Sequence, residues 1–88
     1  MFRVWSRIIK DNKLVKDVTI ELDYEDTRTH KVFTALEKSC EQLDLSNPIW
    51  LESNIADFKR IGRTRFTADS FVEPIDFDYL DFYIIEED

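Results

Sequence analysis

The sequence predicts a two-layer α+β fold in which one helix packs against a mixed sheet of four to five strands. Three observations indicate this fold. Two early segments alternate apolar and polar side chains around a polar turn, a later segment repeats apolar residues at the helical period, and the last segment is apolar on both faces. We therefore expect a hairpin, a helix, a short strand, a helical turn and a long final strand, in that order.

The opening hairpin is predicted from residues 2–9 and 14–22, which flank a polar turn containing Asp and Asn. In the first strand, Phe2, Val4 and Ile8 fall on one face. The second strand carries its apolar side chains on one face: Leu14, Val18, Ile20 and Leu22. These two faces are expected to meet the helix.

A helix is predicted to begin at a cap, Asp26 or Thr27, and to end near Leu43. Its apolar stripe recurs at the helical period: Val32, Phe33, Leu36, Cys40 and Leu43. Lys31 is expected on the solvent side. The stripe predicts which side of the helix covers the sheet.

The middle of the chain predicts two short elements after a break at Pro48. Residues 49–51 read as a short strand, and residues 55–60 as a helical turn with Ile55 and Phe58 facing inward. Gly62 is expected to end that turn, because glycine favours the left-handed conformation that follows a helix.

The end of the chain predicts a minor strand at 63–67, an acidic loop at 68–76 and a long strand at 77–86. Apolar residues on both faces of the last segment place it beside the first strand at the centre of the sheet. A chain of 88 residues allows one domain, spanning 1–88.

Charge is distributed unevenly along the chain. The net charge is −7, and after residue 65 there are eight acids and no Lys or Arg. This balance argues against nucleic acid, whose phosphates require a cationic face, and against anionic membrane surfaces. A single cysteine and the lack of a basic leader before an apolar run predict a cytoplasmic protein without an internal disulfide.

The leading functional hypothesis is a non-enzymatic protein-interaction or regulatory module. Trp5 lies on the strand face opposite the predicted core and shares it with Arg3 and Arg7. Trp beside Arg is typical of interaction hot spots. The partner would be another protein or a second copy of the chain, forming a homodimer.

A second hypothesis is anion or nucleic-acid contact through a basic cluster flanked by aromatic residues. The cluster consists of Lys59, Arg60, Arg63 and Arg65. The alternative is that these cations neutralise the acidic C-terminal segment across the fold.

A third hypothesis is a small enzyme with a site at a dimer interface, where His30 would act. Within one chain, His30 and Cys40 cannot form a nucleophile–base pair, since ten helical residues separate them by about 15 Å. Asp76, Asp78 and Asp81 suggest a weak cation site or a solvated acidic face. We predict no metal and no cofactor.

Three segments, TRTHKVF at 27–33, NPIWL at 47–51 and TRFT at 64–67, resemble short hypothetical proteins of bacteria. This resemblance implies a bacterial cytosolic origin and no particular chemistry. The element order also resembles the β-grasp, or ubiquitin-like, fold. Ubiquitin-like modifiers end in Gly-Gly, whereas this chain ends in acids, so the resemblance does not imply conjugation.

Overall fold

The computed structural model describes residues 1–87 and confirms a two-layer α+β fold, with two helices on one face of a four-stranded sheet. The elements are β1 (Phe2–Lys10), β2 (Lys13–Leu22), α1 (Arg28–Leu43), α2 (Glu52–Ile61), β3 (Arg63–Phe66) and β4 (Tyr79–Glu86). A 3₁₀ turn, Ala68–Ser70, follows β3. Within residues 1–87, no helix is long and apolar enough to cross a membrane.

The strands are ordered β2-β1-β4-β3, and each neighbouring pair is antiparallel. The last strand therefore lies beside the first at the sheet centre, as predicted. The prediction of a mixed sheet was therefore wrong. Strands β1 and β3 run in the same direction, but β4 lies between them, so no parallel pair forms.

Residues 49–51 form an extended segment outside the sheet, and the short strand predicted there is wrong. Trp50 points from this segment into the core instead, where its ring meets the edges of Phe58 and Phe66 at centroid distances of 5.4 and 5.0 Å. Partial burial of this ring against the core holds the segment in place without strand pairing.

The hairpin forms as predicted, with Asp11 and Asn12 at positive φ in the turn. On β2, Ile20 and Leu22 are buried, whereas Leu14 is exposed and Val18 is only half-buried. The prediction that the whole apolar face of β2 meets the helix was therefore wrong. Only the end of β2 far from the turn belongs to the core cluster.

Helix α1 begins after Thr27, whose hydroxyl accepts a hydrogen bond from the backbone N–H of His30. Four of the five residues of the predicted stripe are buried as expected, and the exception is Phe33. Phe33 is 51% exposed, whereas Lys31 is only 8% exposed, with its ammonium 5.8 Å from the centroid of the Phe2 ring. The long aliphatic stem lets Lys31 cover apolar surface while its charge stays near the rim.

Helix α2 buries Phe58 as predicted, but Ile55 is 41% exposed and that part of the prediction was wrong. The adjacent Asn54 takes the inward position. Its side-chain amide donates to Thr64 Oγ1 at 2.9 Å and to the carbonyl of Arg65 at 3.0 Å, which ties α2 to β3. A buried amide with several partners fixes the rotation of α2.

Gly62 ends α2 in the left-handed region at φ +66°, as predicted. Substitution of Gly62 by alanine is expected to lower the free energy of unfolding by about 1 kcal/mol, the cost of placing a Cβ in this conformation. The cost is conformational, because the nearest atom to the added Cβ would be Ile84 Cβ at 4.0 Å, an ordinary contact. Urea unfolding of the variant measures the loss.

The control for Gly62→Ala is Lys59→Ala, an exposed position inside the same helix where alanine is favourable. Equal unfolding midpoints for the Gly62 variant and the wild type would contradict the prediction.

Candidate functional site

The face of the sheet opposite the helices carries aromatic and arginine side chains; we call it the open face. It consists of Trp5, Arg7, Arg63, Arg65, Tyr79, Asp81 and Tyr83. Strand register brings them together, because residues directly opposite each other in an antiparallel pair point to the same side. Tyr83 pairs with both Trp5 and Arg63, and Asp81 pairs with both Arg7 and Arg65.

Asp81 lies at the centre of the open face and is only 1% exposed. Arg63 holds it with two hydrogen bonds, Nε to Oδ1 at 3.0 Å and Nη2 to Oδ2 at 2.6 Å. Arg7 donates to Oδ2 from the other side. The two guanidinium groups cover the carboxylate and form what we call the Asp81 clasp: Arg7, Arg63 and Asp81.

The pKa values of the clasp follow from these contacts. Burial acts to raise the pKa of the Asp81 carboxyl, but the hydrogen bonds and charges of Arg63 and Arg7 outweigh it, so the pKa lies below its usual value. The hydrogen bond to Asp81 raises the pKa of Arg63. Both shifts favour the charged forms of Asp81 and Arg63 at neutral pH.

An arginine guanidinium group lies over each of the three aromatic rings of the open face. Arg7 Cζ lies 4.4 Å from the centroid of the Trp5 ring, and Arg63 Cζ lies 5.0 Å from that of Tyr83. Arg65 Cζ lies 4.6 Å from the centroid of Tyr79. Such cation–π contacts stabilise the stacked geometry.

The rim of the open face is polar. Trp5 Nε1 donates to Asp17 at 2.8 Å on the β2 side. Arg3 donates to Glu86 at 2.7 Å and lies 3.8 Å from a carboxylate oxygen of Glu21. A polar rim around an aromatic centre is typical of protein interfaces.

The four residues of the predicted basic cluster fall on two different surfaces. Arg63 and Arg65 join Trp5 and Arg7 on the open face, whereas Lys59 and Arg60 lie on α2. Arg60 faces Asp57 at 3.4 Å in its own helix. The structure thus divides the cluster and merges half of it with the face predicted around Trp5, Arg3 and Arg7.

A concave feature lies between α1 and α2; we call it the helical groove. Its volume is about 240 Å³. The lining is mainly apolar, with cations at one end: Arg28, Thr29, Val32, Phe33, Trp50, Ile55, Phe58 and Lys59. It belongs to the helical layer and is separated from the open face by the core.

His30 and Cys40 stay apart, as their helical spacing requires. The His30 ring is exposed and Nδ1 lies 3.0 Å from Asp26 Oδ1. The hydrogen bond from the Thr27 N–H and the contact with His30 lower the pKa of Asp26. Cys40 is buried on α1, and burial raises the pKa of its thiol to about 11, so the thiolate is not available as a nucleophile at neutral pH.

The three aspartates considered for cation binding do not converge. Asp81 belongs to the clasp, Asp78 accepts a hydrogen bond from the Asp11 N–H at 2.9 Å, and Asp76 is exposed in the preceding loop. Across residues 1–87, no group of three or more His, Cys, Asp or Glu side chains is placed to hold a metal ion.

Sequence reasoning missed the contribution of Tyr79, Asp81 and Tyr83 to the site. A signal was present, since Asp81 is a charged residue within an otherwise apolar strand. A charge at a buried position requires partners, and the arginines of neighbouring strands are the groups that supply them.

No protein-family model, curated protein or solved structure matches the chain.

Proposed function

We propose that this chain is a non-enzymatic interaction module whose open face docks a protein partner. The observation that carries the proposal is the set of three aromatic rings, each stacked by an arginine, on the face of the sheet that no helix covers. Trp, Tyr and Arg are the residues most enriched where protein interfaces concentrate their binding energy.

Preorganisation supports the proposal. Asp81 fixes the guanidinium groups of Arg7 and Arg63, so these long side chains lose little rotamer freedom when a partner binds. The arrangement also costs stability, because Arg7 Nε is buried and makes no hydrogen bond within residues 1–87. Such a cost is typical of a surface shaped for binding.

The charge of the open face favours a protein partner over nucleic acid. Arg7 and Arg63 share the Asp81 carboxylate, and Arg3 pairs with Glu86, so within residues 1–87 Arg65 is the one arginine of this face without an ion pair. Binding to phosphates gains affinity from cations that are free to replace counterions, and most of these arginines already have a carboxylate partner. The buried, unpaired Cys40 supports a cytoplasmic location.

The proposal predicts that two open-face substitutions weaken partner binding without unfolding the protein. Trp5→Ala removes an aromatic anchor, and Arg65→Glu reverses a charge that has no ion-pair partner within residues 1–87. Each is expected to lower affinity at least tenfold, the loss of a moderate hot spot. Affinity capture from lysate of the encoding organism, quantified for each variant, measures retention of a specific binder.

The matched control is Val72→Ala, because Val72 is 83% exposed and lies outside the sheet. A binder retained by the wild type and the Val72 variant but lost by both open-face variants supports the proposal. Identical binders for all four proteins would overturn it.

Two further measurements identify the partner class. If light scattering after size exclusion gives a dimer that Trp5→Ala converts to a monomer, the partner is a second copy of the chain. Oligonucleotide binding that appears at about 50 mM salt, weakens as salt rises and is lost in Arg65→Glu would replace the proposal with nucleic-acid contact.

A further inference from the structure

The helical groove combines an apolar body with a cationic end. We propose that it binds a small amphipathic carboxylate, whose apolar part lies against Trp50, Phe33 and Ile55 and whose carboxylate lies at Arg28 and Lys59. The groove is in the helical layer, so this inference is independent of the open face.

The apolar half of the groove leaves large side chains in water. Phe33 on α1 and Ile55 on α2 are exposed on adjacent helices, although both belong to apolar patterns that would ordinarily be buried. An apolar ligand placed between them would remove both from water. Burial of exposed apolar surface is the main favourable term in binding of this kind.

The floor of the groove is rigid. The Trp50 ring is held edge-on by Phe58, Phe66 and Phe82, at centroid distances of 5.4, 5.0 and 6.2 Å. On the solvent side of the groove, the Phe33 ring contacts the Trp50 ring at a centroid distance of 6.1 Å. A ligand ring or chain would therefore enter a preformed space and would not have to order its walls.

The cations lie together at one end. Arg28 and Lys59 both line the groove and also a neighbouring cleft that runs along the last residues of β4, so both mark the end nearest that strand. Lys59 makes no ion pair with any residue of 1–87. Arg28 binds Glu87 through Nε at 2.6 Å, and its terminal nitrogens make no hydrogen bond within the same range.

The cationic side chains of Arg28 and Lys59 favour a ligand with a carboxylate group. Two cations at the end of an apolar groove stand out in a chain of net charge −7. A carboxylate accepts charge-assisted hydrogen bonds from a guanidinium and an ammonium together, which are stronger than bonds between neutral groups. Glu87 occupies only Nε of Arg28, whose Cζ lies 5.5 Å from the centroid of the Phe58 ring in the groove lining, and Lys59 adds a cation without an ion pair within residues 1–87.

The volume sets the size of the ligand. About 240 Å³ is smaller than the roughly 300–1,000 Å³ of sites for drug-sized ligands. One aromatic ring with a short acidic chain, or a short aliphatic acid, matches this space. A dinucleotide or a long-chain lipid would not fit.

Trp50 provides a direct readout, because Trp5→Phe leaves it as the only tryptophan. Titration of this variant with 3-phenylpropionate is expected to change the Trp50 emission saturably at millimolar ligand or below. The uncharged 3-phenylpropanol should bind about tenfold more weakly, the loss expected when a charge-assisted hydrogen bond is absent.

Two variants in the same Trp5→Phe background separate charge from apolar contact. Lys59→Gln should weaken binding of the acid and leave that of the alcohol unchanged, whereas Phe33→Ala should weaken both. Lys38→Gln is the matched control, since Lys38 is an exposed cation on α1 outside the groove.

Backbone amide shifts of the wild-type protein provide a second measurement that needs no variant. 3-Phenylpropionate should shift residues of 28–33 and 50–59 and leave the β1–β2 hairpin unchanged. Equal affinity for acid and alcohol would overturn the carboxylate assignment. Absence of saturable binding, or shifts confined to the open face, would overturn the site.

Discussion

Asp81→Ala is expected to lower the free energy of unfolding by about 3 kcal/mol. The substitution leaves Arg7 and Arg63 facing each other without the carboxylate that binds both. Removal of one member of a buried ion pair costs about 3–5 kcal/mol. We expect the lower end, because the Arg7 and Arg63 side chains remain 23% and 35% exposed and water partly screens them. Urea unfolding at pH 7 measures the loss.

The same carboxylate makes stability depend on pH. Its pKa in the folded protein is below the unfolded value of about 3.9. The clasp therefore contributes fully above about pH 4 and loses its contribution as the pH falls through the folded pKa. The difference in unfolding free energy between wild type and Asp81→Asn should accordingly be largest at neutral pH and should shrink below pH 4.

The control for both measurements is Glu73→Gln, an exposed acid in the loop before β4. Its effect should stay within about 0.5 kcal/mol. If the Asp81 variants are as stable as the wild type, the clasp does not stabilise the fold. If the difference persists unchanged at pH 3, the ionised carboxylate is not the source of the stabilisation.

A double-mutant cycle attributes the effect to the correct partner. Arg63→Met alone exposes the carboxylate on one side, and the combination of Arg63→Met with Asp81→Ala should cost less than the sum of the two single substitutions. If the two losses in unfolding free energy are strictly additive, Asp81 stabilises the fold through contacts other than its bidentate pair with Arg63.

Local sequence signals predicted the elements whose ends are set by backbone conformation. Asp11 and Asn12 favour positive φ and fixed the hairpin turn, Thr27 caps α1, and Gly62 ends α2. Each signal acts within four residues, so it needs no knowledge of the rest of the chain.

The same signals placed most of each buried helix face correctly but did not determine its edges. Phe33 and Ile55 were predicted inward and lie outward, while Lys31 and Asn54 take the buried positions next to them. Apolar periodicity defines a face about 100° wide, and hydrogen bonds or long aliphatic stems then decide which edge of that face is covered. For α2, the hydrogen bonds of Asn54 with its partners on β3 determine which edge is buried.

The candidate site was predicted only in part for a related reason. The alternation of β1 placed Trp5, Arg3 and Arg7 on one face, but nothing local indicated that Arg63 and Arg65 would join them. That juxtaposition depends on β4 lying between β1 and β3. Strand order is set by long-range packing, which no local signal in the sequence specifies.

Phe82→Ala is expected to have the largest effect of any substitution considered, a loss of about 3–5 kcal/mol. Phe82 is 0% exposed on β4. Its ring stacks on Phe58 at a centroid distance of 5.6 Å and meets Phe66 and Trp50, each at 6.2 Å. Since a small domain is stable by only about 5–15 kcal/mol, the loss removes a large fraction of the total. Urea unfolding followed by far-UV circular dichroism measures it.

Phe33→Ala is the matched control, because it also removes a phenyl ring that contacts Trp50, at 6.1 Å. Phe33 is half in water, so its truncation should cost about 1 kcal/mol or less. Phe82→Leu keeps most of the buried volume and should fall between the two. Comparable losses for Phe33→Ala and Phe82→Ala would mean that contact with Trp50, and not enclosure within the core, sets the cost.

Trp50 emission distinguishes a local cavity from a general loosening of the core. In the Trp5→Phe background, loss of the Phe82 ring removes one wall of the Trp50 site, whereas Phe58 and Phe66 still hold the indole edge-on. A folded Phe82→Leu variant should therefore keep a sharp near-UV spectrum with only a small emission shift. A large red shift at retained helicity would show that water reaches Trp50, and that Phe82 alone closes the core beneath the helical groove.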